Sequence, residues 1–315
     1  MSDKSGIQWT DATWNPVTGC SKVSQGCKNC YALRDWARVA APRPTPNVYT
    51  GREFTDVRFH PERLDQPLRW KKPRRVFVNS MSDLFHEKVP DEAIERILTA
   101  TIHAKAHTFQ ILTKRPERMR SVMQRWTDMN GRPQTNLWMG VSVEDQATAD
   151  ERIPLLLKTP AAVRFVSYEP ALGPVTFPFS AQSSWCPICT AIVYDTLDSP
   201  HEQQHGVDSS ADFDPTKHCA SVYDMLHWII VGGESGPGAR PCDVAWIRSA
   251  VEQCKAAGVP CFVKQLGARP VTYSCAMREK CTHPDCAVTE VVLRDRKGGD
   301  TAEWPEDLRV REMPR

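Results

Sequence analysis

The sequence predicts an α/β fold, a complete or partial TIM-type (β/α) barrel of about six to seven parallel strands. Short apolar runs rich in β-branched and aromatic residues alternate with segments of helical periodicity. The runs are apolar on both faces, which is typical of parallel strands covered by helices. Polar side chains follow the runs, and in such barrels the functional residues lie at the carboxyl ends of the strands.

Seven runs are predicted to be the strands of this sheet. The first lies near "GIQWT" at residues 6–10. The other six are "RVFVNS" (75–80), "TFQILTK" (108–114), "LWMGVSV" (137–143), "VRFVSYE" (163–169), "WIIVGGE" (228–234) and "PCFVKQ" (260–265). Helical segments separate them; in one, Ile94, Ile97, Leu98 and Ile102 share an apolar face. Strands separated by helices indicate right-handed crossovers.

The composition gives no general argument for a nucleic acid or membrane partner. The 315 residues include 40 Lys and Arg against 38 Asp and Glu, so the net charge is +2. The basic run "RWKKPRR" (69–75) remains a candidate for phosphate contacts. No apolar run reaches the roughly 18 residues that span a bilayer, and "MSDKSGIQW" lacks a signal peptide's apolar segment. We therefore expect a cytoplasmic protein that does not enter a membrane.

Eight of the twelve cysteines lie in three groups, which favours metal ligation over disulfides, because cytosolic thiols are kept reduced. The first group, Cys20, Cys27 and Cys30, lies in "WNPVTGCSKVSQGCKNCYA" (14–32) after the first predicted strand. From the residues alone, these three are buried thiols, zinc ligands or the anchor of an iron-sulfur cluster. The isolated cysteines lie on apolar patterns and are predicted to be core residues; they are Cys242, Cys254 and Cys261.

The barrel pattern is interrupted once and followed by a cysteine-rich end. We divide the chain into a barrel (1–179), a zinc-ribbon-like insertion (180–225), the last part of the barrel (226–270) and a Cys-rich carboxyl-terminal appendage (271–315). In the insertion, "WCPIC" supplies Cys186 and Cys189 as zinc ligands. Loop length and ligand type favour His205 and Cys219 over His201 and His218 as the remaining ligands.

The appendage contains the third cysteine group, "CAMREKCTHPDC" (275–286). Its candidate ligands are Cys275, Cys281, His283 and Cys286. They form a second zinc site, the ligands of an auxiliary iron-sulfur cluster, or a hairpin of ordinary thiols. The mixture of sulfur and nitrogen ligands favours zinc. The closing segment is predicted to pack by Trp304 and Leu308.

The chain resembles the phage-associated three-cysteine-motif family of uncharacterised proteins, which is similar to radical S-adenosylmethionine (radical SAM) proteins, including the spore-photoproduct-lyase branch. Besides the three-cysteine stretch, the matching segments are "VFVNSMSDLF", "ILTKRPERM", "WMGVSVEDQ", "RFVSYEPALGPV", "WIIVGGESGPGARP", "CFVKQLG" and "DRKGGDTAEWPEDLRVREMP".

This resemblance implies a 4Fe-4S cluster held by Cys20, Cys27 and Cys30, with the fourth iron open to S-adenosyl-L-methionine. It implies reductive cleavage of that cofactor, a reducing partner protein, and a nucleotide, DNA or RNA substrate in repair or modification. Six residues separate Cys20 from Cys27, where the usual radical SAM loop has three. The usual Gly-Gly-Glu after the second strand is replaced by other polar residues.

The resemblance also implies roles for the polar strand ends. Asn79, Ser80 and Asp83 would hold the methionyl amino nitrogen, and Lys114 or Arg115 the methionyl carboxylate. Ser142 and Glu144 would suit the ribose hydroxyls. The candidates for catalysis or substrate contact are Glu169, Glu234 and Lys264. The loop "GGESG" (232–236) is predicted to be a close-approach loop that faces the substrate.

Other features have simpler interpretations. Ser82 and Asp145 are candidates for helix caps. The proline-rich stretch 41–64 is predicted to cross the barrel mouth, where it contributes Arg52 or Arg58 to the substrate or covers the sheet edge.

Two function classes follow. The first is a radical SAM-like enzyme, favoured by the polar strand ends. The second is a catalytically inactive metal-binding barrel that binds a partner protein or DNA, favoured by the cysteine spacing and the missing Gly-Gly-Glu.

Overall fold

The computed structural model describes residues 5–179, 183–185, 192–194, 225–273 and 288–314. The helices in these ranges are α1 (Tyr31–Ala40), α2 (Asp91–His103), α3 (Pro116–Asn130), α4 (Gln146–Leu157) and α5 (Val244–Ala257). The strands are β1 (Ala12–Trp14), β2 (Val17–Thr18), β3 (Arg58–Phe59), β4 (Arg75–Val78), β5 (Thr108–Thr113), β6 (Leu137–Val143), β7 (Val163–Tyr168), β8 (Ser183–Trp185), β9 (Ile192–Tyr194), β10 (Trp228–Gly232), β11 (Cys242–Asp243), β12 (Cys261–Gln265), β13 (Pro270–Tyr273) and β14 (Val288–Glu290).

Seven strands form one parallel sheet in the order β1-β4-β5-β6-β7-β10-β12. The sheet curls into a half-barrel flanked by helices, which confirms the predicted α/β fold and selects the partial barrel. The first strand was predicted too early, since β1 begins at Ala12. Residues 7–10 form a turn, in which Thr10 N donates to Ile7 O, and Trp9 packs on the concave face against Phe77. Each of the other six predicted runs contains a strand.

The core has two layers, one on each face of the sheet. On the convex face, the helices bury the apolar stripe predicted from the sequence, including Ile94, Ile97 and Leu98. Cys242, Cys254 and Cys261 are also buried there, as predicted. The floor of the concave face is a mainly aromatic cluster, Trp9, Phe77, Phe165, Trp228 and Phe262 with Ile230. These side chains exclude water from the lower part of the half-barrel.

Glycines allow close packing at two places. A Cβ on Gly140 would overlap the ring of Phe165, which lies across β6. A Cβ on Gly233 would overlap Leu266 O, and one on Gly298 would overlap Gly267 O. These glycines hold the loops after β10 and β12 against the carboxyl-terminal segment, and the predicted approach of the glycine-rich loop to a substrate stays a prediction.

The carboxyl-terminal segment (291–314) covers the free edge of β12. Val263 N donates to Val310 O at 2.8 Å, and Glu312 N donates to Cys261 O at 2.8 Å. Trp304 and Leu308 are 2% and 0% exposed, which confirms their predicted packing. This segment supplies the hydrogen bonds that a further strand would give in a closed barrel.

Smaller sheets complete the described structure. They are β2 with β3, β8 with β9, and β11 with β13 and β14. None of the helices in the described ranges has the length and apolar character needed to cross a membrane.

Candidate active site

A cavity of about 470 Å³ opens at the carboxyl end of the concave face. Its walls are the ends of the barrel strands and the cysteine loop, residues 20–30, which follows β2. This volume is typical of a site for a small molecule or cofactor. The predicted residues on its wall are Cys20, Cys27, Cys30, Asn79, Ser80, Asp83, Lys114, Arg115, Ser142, Glu169, Glu234 and Lys264.

The three thiols of the cysteine loop face this cavity, and each is free and half-buried. Burial, with a smaller contribution from Asp83, raises the pKa of Cys20 to about 12. Its free thiol is therefore protonated at neutral pH, and a bound metal would displace that proton.

The cysteine loop offers three thiols as candidate metal ligands. Across the described ranges, no group of three His, Cys, Asp or Glu side chains is already placed around a single ion position. A four-iron cluster distributes its thiolate ligands over separate irons. Three thiols on one cavity wall fit such a cluster in number and chemistry.

The cysteine loop is attached to the ends of β4 and β5 through Arg115. Its guanidinium donates to Asp83 Oδ2 at 3.2 Å and to Ser21 Oγ at 2.9 Å, and approaches Cys20 Sγ at 3.9 Å. His86 Nε2 lies 2.9 Å from the same Ser21 hydroxyl. Arg115 is therefore already paired, and an anionic ligand would have to share it with Asp83.

A second attachment joins the cysteine loop to the end of β6. Ser24 Oγ donates to Glu144 Oε1 at 3.1 Å, and a Cβ on Gly26 would overlap the Glu144 carboxylate. Glu144 is fully buried and is not on the cavity wall. Its oxygens lie 2.7 Å from Lys114 Nζ and 3.2 Å from Arg152 Nη1. A ribose contact from Glu144 would require it to give up one of these partners.

A third attachment joins the loop to residues after β10. Glu234 Oε2 accepts from Asn29 Nδ2 at 2.9 Å, and Arg240 Nη1 donates to Gln25 O at 3.0 Å. Arg240 also binds both oxygens of Glu234, at 3.0 and 2.7 Å. Burial opposes ionisation of Glu234, but the hydrogen bonds from Arg240 and Asn29 prevail and hold its pKa below the usual range. The carboxylate thus secures the loop, and its catalytic role stays a prediction.

Glu169 and Lys264 form a half-buried ion pair on the cavity wall. Lys264 Nζ lies 2.5 Å from Glu169 Oε1, which also accepts from Gln265 Nε2 at 3.3 Å. Both side chains come from strand ends and retain 18% and 23% exposure. A carboxylate and an ammonium this close can accept and donate a proton to a molecule in the cavity.

Asn79 offers the cavity an unused hydrogen-bond donor. It has φ of 61°, the left-handed region that asparagine tolerates better than most residues. Its Oδ1 accepts from Val17 N at 3.2 Å, which fixes the orientation of the amide. Its buried Nδ2 has no hydrogen-bond partner among the residues described. Asn79 is therefore suited to an acceptor atom of a ligand, and its amide oxygen is not free for a methionyl ammonium group.

The remaining candidates occupy structural positions or lie outside the described residues. Asp145 caps α4 reciprocally with Thr148, as predicted, whereas Ser82 donates to Val17 O and caps no helix. Arg52 pairs with Asp56 and Thr18, which fixes the 41–64 stretch rather than leaving this cation for a substrate. The other predicted metal ligands lie outside the described ranges: Cys186, Cys189, His205, Cys219, Cys275, Cys281, His283 and Cys286.

Several residues of the site were not anticipated from the sequence. They hold the loop or line the cavity and include Asn29, His86, Arg152, Arg240, Asp295 and Lys297. The polar strand ends indicated where the site lies. A signal was present for Arg240, since a cation six residues after Glu234 is a natural partner for that carboxylate.

The sequence model of a family described as "Protein of unknown function (DUF5131)" matches residues 4–293. No curated protein and no solved structure gives a significant match.

Proposed function

The chain belongs to the DUF5131 family, and we propose that it is a radical SAM-like iron-sulfur enzyme that acts on a nucleotide or nucleic acid in repair or modification. The observation that supports this most is the position of three free thiols on the wall of one cavity, at the carboxyl end of a parallel half-barrel. We place the activity in the cytoplasm, where reduced thiols persist.

Cys20, Cys27 and Cys30 would hold the cluster. When bound, a cluster with an open iron supplies single electrons and a binding position for S-adenosyl-L-methionine. Asn79 would donate its free amide hydrogen to an acceptor atom in the cavity. The aromatic floor keeps water away, and Glu169 with Lys264 would hold a proton beside the reacting groups.

Cations at the cavity mouth support a phosphate-bearing substrate. Lys22, Arg34 and Lys297 are exposed and lie on the cavity wall. Arg34 lies 3.6 Å from the partly exposed Asp35, a distance that leaves it available to an anion. A reducing partner protein would have to reach this same mouth, since the cysteine loop lies there.

Metal analysis tests the proposal. Iron, sulfide and zinc are measured on anaerobically purified protein, and the electron paramagnetic resonance spectrum of the reduced protein is recorded with and without S-adenosyl-L-methionine. About four irons per chain and a spectrum changed by the cofactor are expected. Zinc without iron, or a spectrum that ignores the cofactor, would contradict the enzyme proposal. The zinc content also tests the predicted sites in 180–225 and 271–315.

The ligand assignment is tested by Cys27→Ala, which should remove the iron while the protein remains folded. Cys242→Ala is the matched control, because Cys242 is a buried core thiol away from the cavity wall. Full iron retention in Cys27→Ala would exclude Cys27 as a ligand.

The second candidate, an inactive metal-binding barrel that binds a partner protein or DNA, is favoured by the existing ion pairs. Lys114, Arg115, Glu144 and Glu234 all have charged partners in the protein. Such pairing stabilises a structure without requiring a ligand. Metal binding with no affinity for S-adenosyl-L-methionine would support this alternative.

A further inference from the structure

The loops at the amino ends of four adjacent strands share an unusual composition. We define the amino-edge face as residues 70–74, 104–107, 131–136 and 158–162, which precede β4, β5, β6 and β7. These loops contain no Asp or Glu, although the whole chain carries nearly as many acids as bases. Their basic residues are Lys71, Lys72, Arg74, Lys105, Arg132 and Lys158.

The parallel sheet brings these cations onto one side of the molecule. The four strands are direct neighbours in the sheet, and neighbouring strands lie about 4.8 Å apart, so the loops fall within about 15 Å. Adjacent loops lie within one Debye length of about 8–10 Å, so the fields of their cations add, whereas the outermost loops are largely screened from each other. All but Arg74 are exposed and form no ion pair with any other residue in the described ranges.

Helix ends account for part of this pattern. Lys105, Arg132 and Lys158 follow the carboxyl ends of α2, α3 and α4, where a cation stabilises the helix dipole by about 0.3–1 kcal/mol. Lys71 and Lys72 follow only the short 3₁₀ turn Pro67–Arg69, so the helix dipole does not explain the presence of these two lysines. The face therefore has more positive charge than its helices need.

We propose that the amino-edge face binds the phosphate backbone of a nucleic acid. Protein interfaces and membrane-bound surfaces need exposed apolar anchors beside their charges. The large exposed apolar side chains of the described residues are Val23, Tyr31, Leu68, Met129, Val288 and Val292; none lies in these loops, and two single residues, Leu68 and Met129, lie two positions outside them. Lysines contact phosphates as point charges. Loops that present exposed lysines and no large exposed apolar side chain of their own are therefore suited to a phosphate backbone.

This site lies at the opposite end of the sheet from the cavity, and it goes beyond the proposed function. A seven-residue strand such as β6 is about 23 Å long, so the same phosphates cannot reach both ends. The face would hold a nucleic acid without positioning its reactive group. Binding at this face needs neither the cluster nor S-adenosyl-L-methionine.

The test is binding of the full-length chain to a fluorescent DNA duplex of about 20 base pairs, measured by anisotropy between about 50 and 200 mM salt. The double variant Lys71→Ala/Lys72→Ala should bind about tenfold more weakly, and the slope of log affinity against log salt should fall by about two. The control Lys88→Ala/Arg120→Ala removes the same charge from exposed positions outside these loops and should bind like the unaltered chain.

Three outcomes would overturn the proposal. The first is that the unaltered chain does not bind the duplex, and the second is that the control loses as much DNA affinity as the Lys71/Lys72 variant. The third is that poly-glutamate displaces the labelled duplex as effectively, per charge, as unlabelled DNA does. The last result would indicate an acidic protein partner. Because no metal is needed for the measurement, failure here is separate from failure of the enzyme proposal.

Discussion

Asn79 combines two features that a folded protein rarely keeps without a reason. Its backbone is left-handed, and its buried amide nitrogen has no hydrogen-bond partner in the described structure. A buried, unpaired polar group costs about 1–3 kcal/mol, and strained backbone adds to that cost. Both costs fall on a residue at the cavity wall, where a bound ligand would offset them.

The variant Asn79→Asp tests this role. Aspartate keeps the acceptor for Val17 N and tolerates the same backbone, but it replaces the unpaired amide donor by an oxygen. Affinity of the iron-loaded protein for S-adenosyl-L-methionine, measured by equilibrium dialysis, should fall at least about tenfold. Asn47→Asp, in an exposed loop, is the control. Unchanged affinity in Asn79→Asp would show that the amide does not contact the cofactor.

His227 gives the stability a pH dependence. Burial, reinforced by the charge of Arg164, lowers its pKa to about 4, against about 6.5 in an unfolded chain. Above about pH 6.5 the imidazole is neutral in both states; as the pH falls towards 4, the unfolded chain binds the proton first and stability is lost. Because the side chain is half-buried, we expect a loss of about 1–2 kcal/mol.

The variant His227→Asn should remove this loss, since an amide oxygen can accept from Arg164 N as the imidazole does. Urea unfolding between pH 7 and 4.5 should give a flatter stability curve for His227→Asn than for the unaltered chain. The exposed His103→Asn on α2 should follow the unaltered chain. A His227→Asn curve parallel to that of the unaltered chain would contradict the assignment.

For individual residues of the site, the sequence predicted the residue type and the wall on which it lies better than it predicted which side chains form ion pairs. The strand ends predicted that Lys114 and Glu169 would lie on one wall, because parallel strands end at the same edge. The pairing of Lys114 with Glu144 depends on how deeply each side chain is buried, and a strand pattern contains no information on that.

The cysteine loop is the element on which the proposed function depends, and distant residues hold it. Arg115, Glu144 and Glu234 attach it to three different parts of the sheet. The loop has one short 3₁₀ turn, Gln25–Cys27, and Cys20 N donates to Phe54 O, so these side chains add to a small number of backbone hydrogen bonds in fixing its conformation. Its thiols keep their positions only while these attachments persist.

The variant Glu144→Gln should loosen one attachment. It leaves the buried Arg152 without a full counter-charge, which we expect to cost about 3 kcal/mol of unfolding free energy. Labelling of Cys27 by a thiol reagent should also become faster. Glu117→Gln, exposed on α3, is the control. Unaltered stability and labelling in Glu144→Gln would show that Glu144 does not hold the loop.

Strands and helices whose apolar residues recur at a regular spacing were predictable from the sequence. The side-chain attachments of the cysteine loop were not. The six strands from β4 to β12 in the parallel sheet and the helices follow from apolar runs and stripes. β1 was placed too early because "GIQWT" has an apolar run, yet its Trp9 fills the concave floor and the chain turns before pairing with β4. Contacts between residues far apart in sequence leave no periodic signal.

At the level of the whole molecule, the half-barrel is open, so the edge of β12 would be exposed if no other segment covered it. Residues 310–312 pair with β12, and Arg311 reaches Gln8 near the first strand, with Nη2 and Oε1 3.4 Å apart. An unprotected strand edge promotes pairing between molecules. The carboxyl-terminal segment therefore contributes to solubility as well as to stability.

The variant Trp304→Ala should release this segment. Trp304 is buried, donates through Nε1 to Gly298 O at 3.0 Å, and has the Arg311 guanidinium 5.3 Å from its ring. Its removal should cost about 3–5 kcal/mol and increase light scattering as the β12 edge becomes exposed. Val292→Ala, at a position 91% exposed in the same segment, should change neither. A stable, non-aggregating Trp304→Ala protein would contradict this role.

The three attachments of the cysteine loop also set an order of events during synthesis. Asn29 and its partner Glu234 are 205 residues apart, and a ribosome adds about 5–20 residues per second. For roughly 10–40 seconds the nascent chain carries its three thiols before the residue that secures them has been made. During that interval no attachment to Glu234 holds the thiols, so, on the proposed function, the conditions of translation would bear on how much of the protein acquires its cluster.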